Sequence, residues 1–265
     1  MKKLMLFTLL LLMGCGGGNG GSTSANSSSA TNIQGKWQVI ATSSVTAGAG
    51  TIAETNLTQT GSAISSSNVA FLSFTPSEIV FTGLNACGGP NSTLTAKVNG
   101  NSLSFTLTEG GSSGTRVTTG TETIAAGGQS FTGSYSSTGC GVTDSGTLNG
   151  TLIGTLTGTF TGLLNGASVS VTPQEDQSHN LTVSGTSSID GSFTLTGTAE
   201  GGAFLVSGPI SGTQFAFAGF QITQPFLDAL KVPSVCFTSG PCVGLNGLAV
   251  YEVDTATVIG ELNRN

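Results

Sequence analysis

The chain has 265 residues, of which only 8% are charged, 37% are hydrophobic and 41 are glycine. The hydrophobic residues are spread along the whole length in sufficient number to fill one or two cores, which argues against global disorder. The formal net charge is −6 and no basic stripe is present. Nucleic acid is therefore not an expected partner, because its phosphate backbone would be repelled.

The N-terminal residues have the pattern of an export signal. Met1-Lys2-Lys3 is basic, and residues 4–13 form an apolar run that is too short to cross a bilayer as a helix but suits a signal peptide. The run ends in Leu12-Met13-Gly14-Cys15. This motif resembles the lipobox of bacterial lipoproteins, in which a small residue directly precedes the Cys, although Met13 stands where that family usually has another small residue. The composition of the whole chain is similar to that of Gly/Ser/Thr-rich exported lipoproteins, a resemblance that carries no activity with it.

The lipobox resemblance implies a lipid anchor. Residues 1–14 would be removed as the signal peptide, and Cys15 would receive diacylglycerol on its sulfur. Each buried CH₂ group contributes about 0.8 kcal/mol, so two or three acyl chains hold a protein at a membrane without a spanning helix. Residues 15–32 would follow as a lipidated Cys and a flexible Gly/Ser tether. Because Gly16 and not Asp follows Cys15, the resemblance implies the outer membrane, on either its periplasmic face or the cell surface.

Alternation of Thr, Val and Phe with few helix-forming residues predicts many short strands. Turn dipeptides bring apolar residues of the flanking strands to one face at four places: Asn99-Gly100, Asn165-Gly166, Ser211-Gly212 and Asn246-Gly247. In the expected registers, Val206 lies opposite Phe217 and Ala96 lies opposite Leu103. The sequence therefore predicts an all-β fold of antiparallel hairpins, which form one or two up-and-down barrel-like or sandwich units.

Residues 146–165 consist of five tetrapeptides with Gly first and Leu or Phe third. A Gly at every fourth position costs a helix about 1 kcal/mol each time, so the pattern favours a curved sheet. Its length exceeds one ordinary strand, and a break is expected at Asn149-Gly150. Gly35-Lys36-Trp37 is similar to Gly158-Thr159-Phe160, which suggests two related β units at 33–153 and 154–265. A single larger sheet system is the alternative.

Gly35-Lys36-Trp37 also resembles the signature of the lipocalins and the wider calycin group. In that group a Trp near the base closes an up-and-down antiparallel barrel. The resemblance implies a barrel that carries a small apolar ligand. An ordinary core aromatic is the alternative role for Trp37.

One short helix is expected at residues 224–231. Pro225 stands in the first turn, where proline is tolerated, and Phe226 and Leu230 are spaced to lie on one face. The helix is expected to be a surface connector, with a plug over one sheet opening as the alternative.

Beyond Cys15, the chain has Cys87, Cys140, Cys236 and Cys242. An even number of cysteines in an exported protein predicts disulfides, and three pairings are possible. Residues 236 and 242 bracket a short loop that can turn back on itself, which leaves Cys87 to pair with Cys140. Neither pair has the Cys-x-x-Cys spacing of a redox motif.

The sequence assigns no catalytic residue, metal site or cofactor. The single histidine, His179, lies in a polar segment, residues 174–180, that is expected to be a solvated loop. A Gly-x-Ser-x-Gly pattern at residues 110–114 is expected from composition alone and lacks a strand-turn-helix context. The carboxylates show no spacing that selects a catalytic pair.

Two functions follow from these features. The first is a non-catalytic, lipid-anchored β-rich module of the cell envelope that has a structural or interaction role with an unspecified envelope or surface partner. The alternative is a calycin-like barrel that carries a small apolar ligand. The size of the barrel interior distinguishes the two functions. A carrier leaves a cavity of several hundred Å³, whereas a small structural barrel is filled by its own side chains.

The lipid anchor can be tested with labelled palmitate. We expect the label in the wild-type protein and in Cys242→Ser, but not in Cys15→Ser, because acylation at the lipobox needs the Cys15 sulfur. Immunoprecipitation from labelled cells measures this. Equal labelling of Cys15→Ser and wild type would contradict the anchor.

Overall fold

The computed structural model describes residues 29–66, 68–75, 78–81, 85–236, 242–253 and 257–264. The expected signal peptide, Cys15 and most of the tether lie outside the described residues. Within these ranges, no helix combines the length and apolar character needed to span a bilayer.

The described residues form twenty strands and one helix, and all strand pairs are antiparallel. The first ten strands are β1 Gly35–Ser43, β2 Gly50–Thr60, β3 Ala63–Ser66, β4 Val69–Thr75, β5 Glu78–Phe81, β6 Asn91–Asn99, β7 Ser102–Gly111, β8 Gly114–Ile124, β9 Ser130–Gly139 and β10 Val142–Ile153. The remaining elements are β11 Phe160–Leu164, β12 Ala167–Glu175, β13 Asn180–Ser187, β14 Gly191–Glu200, β15 Ala203–Ile210, β16 Thr213–Gln221, α1 Gln224–Leu230, β17 Val235–Cys236, β18 Cys242–Val243, β19 Leu248–Glu252 and β20 Thr257–Arg264.

The first barrel is closed by β1, which pairs with β10 on one side and β2 on the other. Its strand order is β1-β10-β9-β8-β7-β6-β3-β2. Strand β4 pairs with the first half of β2, and β5 pairs with β4. The second barrel has the order β11-β12-β13-β14-β15-β16-β19-β20 and closes through β11 and β20. The predicted all-β fold with barrel-like units and one short helix is therefore confirmed.

Two of the predicted hairpins form in the expected register. Val206 pairs with Phe217, and Phe160 pairs with Val171. Their turns, Ser211-Gly212 and Asn165-Gly166, have positive φ at both residues, as two-residue hairpin turns of this kind require. At the third turn Gly100 and Asn101 form the tip, so Ala96 pairs with Phe105 and not with Leu103. This shift by two residues keeps the same side chains on the inner face.

Two expectations about strand connections are wrong. The run at 146–165 is broken as expected, but between Ile153 and Phe160, and β10 continues through Asn149-Gly150. Gly150 lies against the Phe131 ring, where a Cβ atom would come within 2.1 Å of Phe131 Cζ. This glycine therefore gives room to an aromatic ring and does not end the strand. The hairpin at Asn246-Gly247 does not form, because both edges of β19 are used by β16 and β20 to close the barrel.

The base of the first barrel is the end with the β6–β7 and β8–β9 turns, and Trp37 fills it. Trp37 is fully buried, its ring stacks on Phe131 with centroids 4.9 Å apart, and its Nε1 donates to the Ile33 carbonyl at 2.7 Å. In the second barrel Phe160 is also fully buried. Trp37 is thus a core aromatic that lies at one closed end of a barrel.

Helix α1 lies between the two barrels and is neither a surface connector nor a plug. The Thr223 side chain caps its first turn, and Lys231 ends it with a φ of 57°. Phe226 and Leu227 are buried in a cluster with Ile222, with Val235 and Val243 of the separate β17–β18 pair, and with outward-facing residues of the two barrel sheets: Ile40, Ile52, Leu72, Phe74, Ala203, Phe220, Ala249 and Tyr251. The helix therefore fills the apolar part of the interface between the barrels.

Polar groups are also buried between the barrels. Lys36 Nζ lies 2.5 Å from Glu175 Oε2, with side chains 5% and 0% exposed. The Leu156 amide donates to the same oxygen at 2.8 Å, and His179 Nδ1 lies 2.8 Å from Glu175 Oε1. Burial alone would raise the pKa of Glu175, but hydrogen bonds from these three partners lower it overall. The expectation that residues 174–180 form a solvated loop is wrong for Glu175.

Glu54 is the second buried acid of this interface. Its Oε1 accepts from Gln38 Nε2 and its Oε2 accepts from the Gly202 amide, both at 2.6 Å. Complete burial raises the pKa of Glu54 to about 8, although the two hydrogen bonds and the charge of Lys36 oppose the shift. Thr223 in turn donates to Gln38 Oε1. This chain of contacts joins β1 and β2 to the second barrel.

The raised pKa of Glu54 predicts that folding stability falls with pH. The bound proton favours the folded state fully below the ordinary pKa of 4.5, and this stabilisation is lost as pH rises through about 8. Between these values, we expect the free energy of unfolding of wild type to fall by up to about 1.4 kcal/mol per pH unit more than that of Glu54→Gln. Urea denaturation at several pH values measures it. Asp228→Asn, on the exposed face of α1, is the control and should keep the wild-type slope; an unchanged slope in Glu54→Gln would contradict the prediction.

Candidate functional site

The interior of the first barrel contains a cavity of about 310 Å³. Small side chains on three strands leave this space open: Ala41, Thr51, Ala53, Thr55 and Ala96. Larger apolar side chains form the rest of the wall: Val39, Leu57, Ile64, Val69, Phe71, Leu94, Leu103, Phe105, Leu107, Phe131 and Leu148. Because the width of an eight-stranded barrel is set by its strand number and tilt, short side chains on several strands leave a void.

The cavity is polar at the opposite end from Trp37, which we call the mouth. The β1–β2, β7–β8 and β9–β10 turns lie at this end. Strands β7 and β8 contribute Glu109 and Arg116, which are paired in register. Arg116 Nε donates to Ser137 Oγ at 2.5 Å and lies 3.9 Å from Glu109 Oε2. Thr118 and Ser137 share a hydrogen bond of 2.8 Å.

A second carboxylate at the mouth is held by three hydrogen bonds. Asp144 Oδ1 accepts from Ser43 Oγ and the Ser145 amide, and Asp144 Oδ2 accepts from the Tyr135 hydroxyl at 2.7 Å. Desolvation acts to raise the pKa of Asp144, but these hydrogen bonds and the charge of Arg116 lower it overall. Burial and the bond to Asp144 raise the pKa of Tyr135. Asp144 is therefore a fixed negative charge and Tyr135 a neutral donor.

Residues 85–90 fold over the mouth, and we call them the covering segment. The Ala86 amide donates to Glu109 Oε1 at 3.1 Å, and both Asn85 and Ala86 line the cavity. Cys87 is fully buried and forms a disulfide with Cys140 in the β9–β10 turn, with Cα atoms 5.4 Å apart. The predicted Cys87–Cys140 pair is thus present, and it anchors the covering segment to the barrel rim.

Glu122 lies inside the same barrel but outside the cavity lining. It is 1% exposed, and neither carboxyl oxygen has a hydrogen-bond partner in the described part of the chain. Its carboxyl group lies against Gly133, where a Cβ atom would come within 2.0 Å of Glu122 Oε2. Burial raises the pKa of Glu122 to about 7. The barrel interior therefore holds a titratable side chain, Glu122, that does not line the cavity and has no hydrogen-bond partner among the described residues.

The second barrel has a smaller cavity of about 200 Å³. Phenylalanines occupy much of its interior: Phe193, Phe204, Phe215 and Phe217. Its lining contains no lysine or arginine within the described residues. The two barrels thus share a strand plan but differ in how far side chains fill them.

The predictions for the other cysteines and for His179 fare differently. Cys15 lies outside the described residues. Cys242 is disulfide-bonded, and the backbone pairs it with Cys236 across β17 and β18. The side chain of Cys236 is outside the described part, so a Cys236–Cys242 disulfide stays a prediction. His179 contacts Glu175 at the interface between the barrels and lies away from both cavities.

Sequence reasoning missed Arg116, Glu109 and Asp144. For Glu109 a signal was available, because strict alternation in β7 places it on the same face as Leu103 and Phe105. No comparable signal marks Arg116, whose strand carries polar residues on both faces. Among the described residues, no group of three or more His, Cys, Asp or Glu side chains is arranged to hold a metal ion.

Comparison with protein-family models, with curated proteins and with solved structures gives no match for this chain.

The disulfide at the mouth can be tested by non-reducing peptide mapping. We expect one linked pair that contains Cys87 and Cys140 and a second that contains Cys236 and Cys242. On the chain-entropy model the first bond, which spans 53 residues, stabilises the protein by about 4 kcal/mol, so Cys87→Ser/Cys140→Ser should lose about that much in urea denaturation. Free thiols at Cys87 and Cys140, or a Cys87–Cys236 crosslink, would contradict the pairing.

Proposed function

We propose that this protein is a non-catalytic, lipid-anchored protein of the cell envelope that binds a small apolar ligand inside its first barrel. The observation that carries the proposal is the cavity of about 310 Å³, which is mainly apolar and has a few polar groups at one end. This combination is typical of small-molecule sites. It favours the carrier hypothesis over a purely structural module, because a structural barrel has no need of an empty interior.

The cavity size limits the ligand. A water molecule occupies about 30 Å³ in the liquid, so the cavity has room for about ten non-hydrogen atoms. The wall supplies aliphatic side chains and the rings of Phe105 and Phe131. Burial of apolar surface contributes about 25 cal/mol per Å², so a ligand of this size gains most of its affinity from the wall.

The two ends of the first barrel differ in how tightly they are closed, and this difference indicates where a ligand would enter. The base is packed by Trp37, Ile33 and Phe131, each at most 4% exposed. The mouth is covered by residues 85–90, a short segment that is held by one disulfide and by hydrogen bonds such as Asn85 Nδ2 to the Gly110 carbonyl. A ligand would therefore enter and leave at the mouth.

The non-catalytic assignment rests on the chemistry of the mouth. Asp144 has a lowered pKa and accepts three hydrogen bonds, which makes it a weak base. Tyr135 has a raised pKa and donates to that same carboxylate, which makes it a poor acid and nucleophile. The lipobox at Leu12-Met13-Gly14-Cys15 and the tether support attachment to a membrane surface.

Native mass spectrometry of the purified protein tests ligand binding directly. We expect an adduct of low mass that is released on collisional activation. Ala96→Phe should lose it, because the new ring fills the cavity from β6. The matched control is Ala63→Phe, since Ala63 is exposed on the neighbouring strand β3.

Three results would contradict the proposed function. The first is a wild-type protein that carries no adduct and binds no apolar probe. The second is an adduct that Ala96→Phe retains. The third is turnover of an ester, peptide or glycoside substrate that is lost when Asp144 or Glu109 is replaced, which would overturn the non-catalytic assignment.

A further inference from the structure

We infer that the ligand of the first barrel carries an uncharged head group with both a hydrogen-bond donor and an acceptor, such as a carboxamide, held between Arg116 and Glu109. This inference rests on the proposed function and specifies the chemical class of its ligand. It follows from the hydrogen bonds that the mouth leaves open and from the balance of charge around them.

Arg116 provides the donors. Its Nε is bound to Ser137 Oγ at 2.5 Å, and Ser137 is held in turn by Thr118. The side chain is 15% exposed and lines the cavity. Its two terminal amino groups make no hydrogen bond to any described residue. Because the side chain lines the cavity, a guanidinium that is fixed at Nε keeps N–H donors for an acceptor there.

Glu109 provides the acceptor. Its Oε1 accepts from the Ala86 amide at 3.1 Å, which fixes the carboxyl group under the covering segment. Its Oε2 lies 3.9 Å from Arg116 Nε, beyond hydrogen-bond distance, and accepts from no described residue. The side chain is 4% exposed but lines the cavity. The mouth thus presents an open donor beside an open acceptor.

The charges and hydrogen-bonding groups at the mouth together disfavour a charged head group. Arg116 is the only cation that lines the cavity among the described residues, and it faces the carboxyl groups of both Glu109 and Asp144. An anionic head group at Arg116 would be repelled by two carboxylates and would offer Glu109 no donor. An ammonium group at Glu109 would be repelled by the guanidinium and would offer Arg116 no acceptor. Repulsion of this kind is weakly screened in a largely apolar cavity. A neutral group that accepts from Arg116 and donates to Glu109 satisfies both without adding charge.

The polar and apolar ends of the cavity also set the orientation of the ligand. All charged groups of the lining lie at the mouth, and the wall toward Trp37 is apolar. The head group would therefore lie under the covering segment, and the apolar tail would extend toward the base. Asp144 is a weaker acceptor for the head group, because its oxygens already accept from Ser43, Tyr135 and the Ser145 amide.

Three probes with the same tail test the head group: octanamide, octanoate and octylammonium. Isothermal titration calorimetry at pH 7.5 with the purified protein carrying Cys15→Ser, which blocks lipidation, measures their affinities. We expect octanamide to bind at least tenfold more tightly than either charged probe. Glu109→Gln should bind octanoate at least tenfold more tightly than the wild type does. Arg116→Gln should bind octylammonium at least tenfold more tightly and octanamide more weakly than the wild type does. Arg264→Gln, at the exposed end of β20, is the control and should keep the wild-type order.

The outcomes separate the inference from the proposed function. If all three probes bind with equal affinity, or octanoate binds best, the cavity is a binding site but the head-group assignment is wrong. The head-group assignment is also wrong if Glu109→Gln and Arg116→Gln leave the affinity order of the three probes unchanged. If no probe binds and Ala96→Phe has no effect on any adduct, both the inference and the proposed function fail. Because the affinity order of the wild-type protein can overturn the assignment by itself, the test stays decisive even if a variant does not fold.

Discussion

The cavity of the first barrel depends on one geometric constraint, the fixed width of a closed eight-stranded barrel. Once strand number and tilt are set, the interior can be filled only by the side chains that point inward. In the first barrel β1, β2 and β6 place alanine and threonine there, and the interior stays open around them. Trp37 and Phe131 close the base, where a large ring is available from each of two strands. The position of the cavity follows from this gradient in side-chain size.

Strand β1 connects the cavity to the second barrel. Because successive side chains point to opposite faces, Trp37 faces the interior while Lys36 and Gln38 face the interface. The backbone at Trp37 is also in close contact with the second barrel, since a Cβ atom on Gly201 would lie 2.6 Å from the Trp37 carbonyl oxygen. Loss of one partner from a buried charge pair such as Lys36–Glu175 is strongly destabilising. The interface therefore supports the base of the cavity from outside.

Local patterns predicted the parts of this fold that depend on neighbours in sequence. Alternation and turn residues predicted the all-β class and the registers at Asn165-Gly166 and Ser211-Gly212, because a two-residue turn sets its own hairpin. Long-range features were not predictable in this way. The burial of Glu54 depends on Gly202, which is 148 residues away in sequence, and the site at Arg116 exists only because the barrel closes. The identity of a polar residue in an alternating strand does not indicate whether its side chain faces water, a partner barrel or a cavity.

The two barrels differ in the features on which the proposed binding role rests. Both begin with a Gly-x-aromatic motif whose glycine has a positive φ, at Gly35 and Gly158, and both bury the aromatic completely. The second barrel then fills its interior with phenylalanines and keeps about 200 Å³, with no cation in its described lining. The first keeps about 310 Å³ and adds Arg116 and Glu109 at the mouth. An apolar space gives affinity for many small molecules, but only polar groups with open hydrogen bonds select among them. Under the proposed function, selectivity would therefore belong to the first barrel, while the second barrel buries one face of it and supports its base.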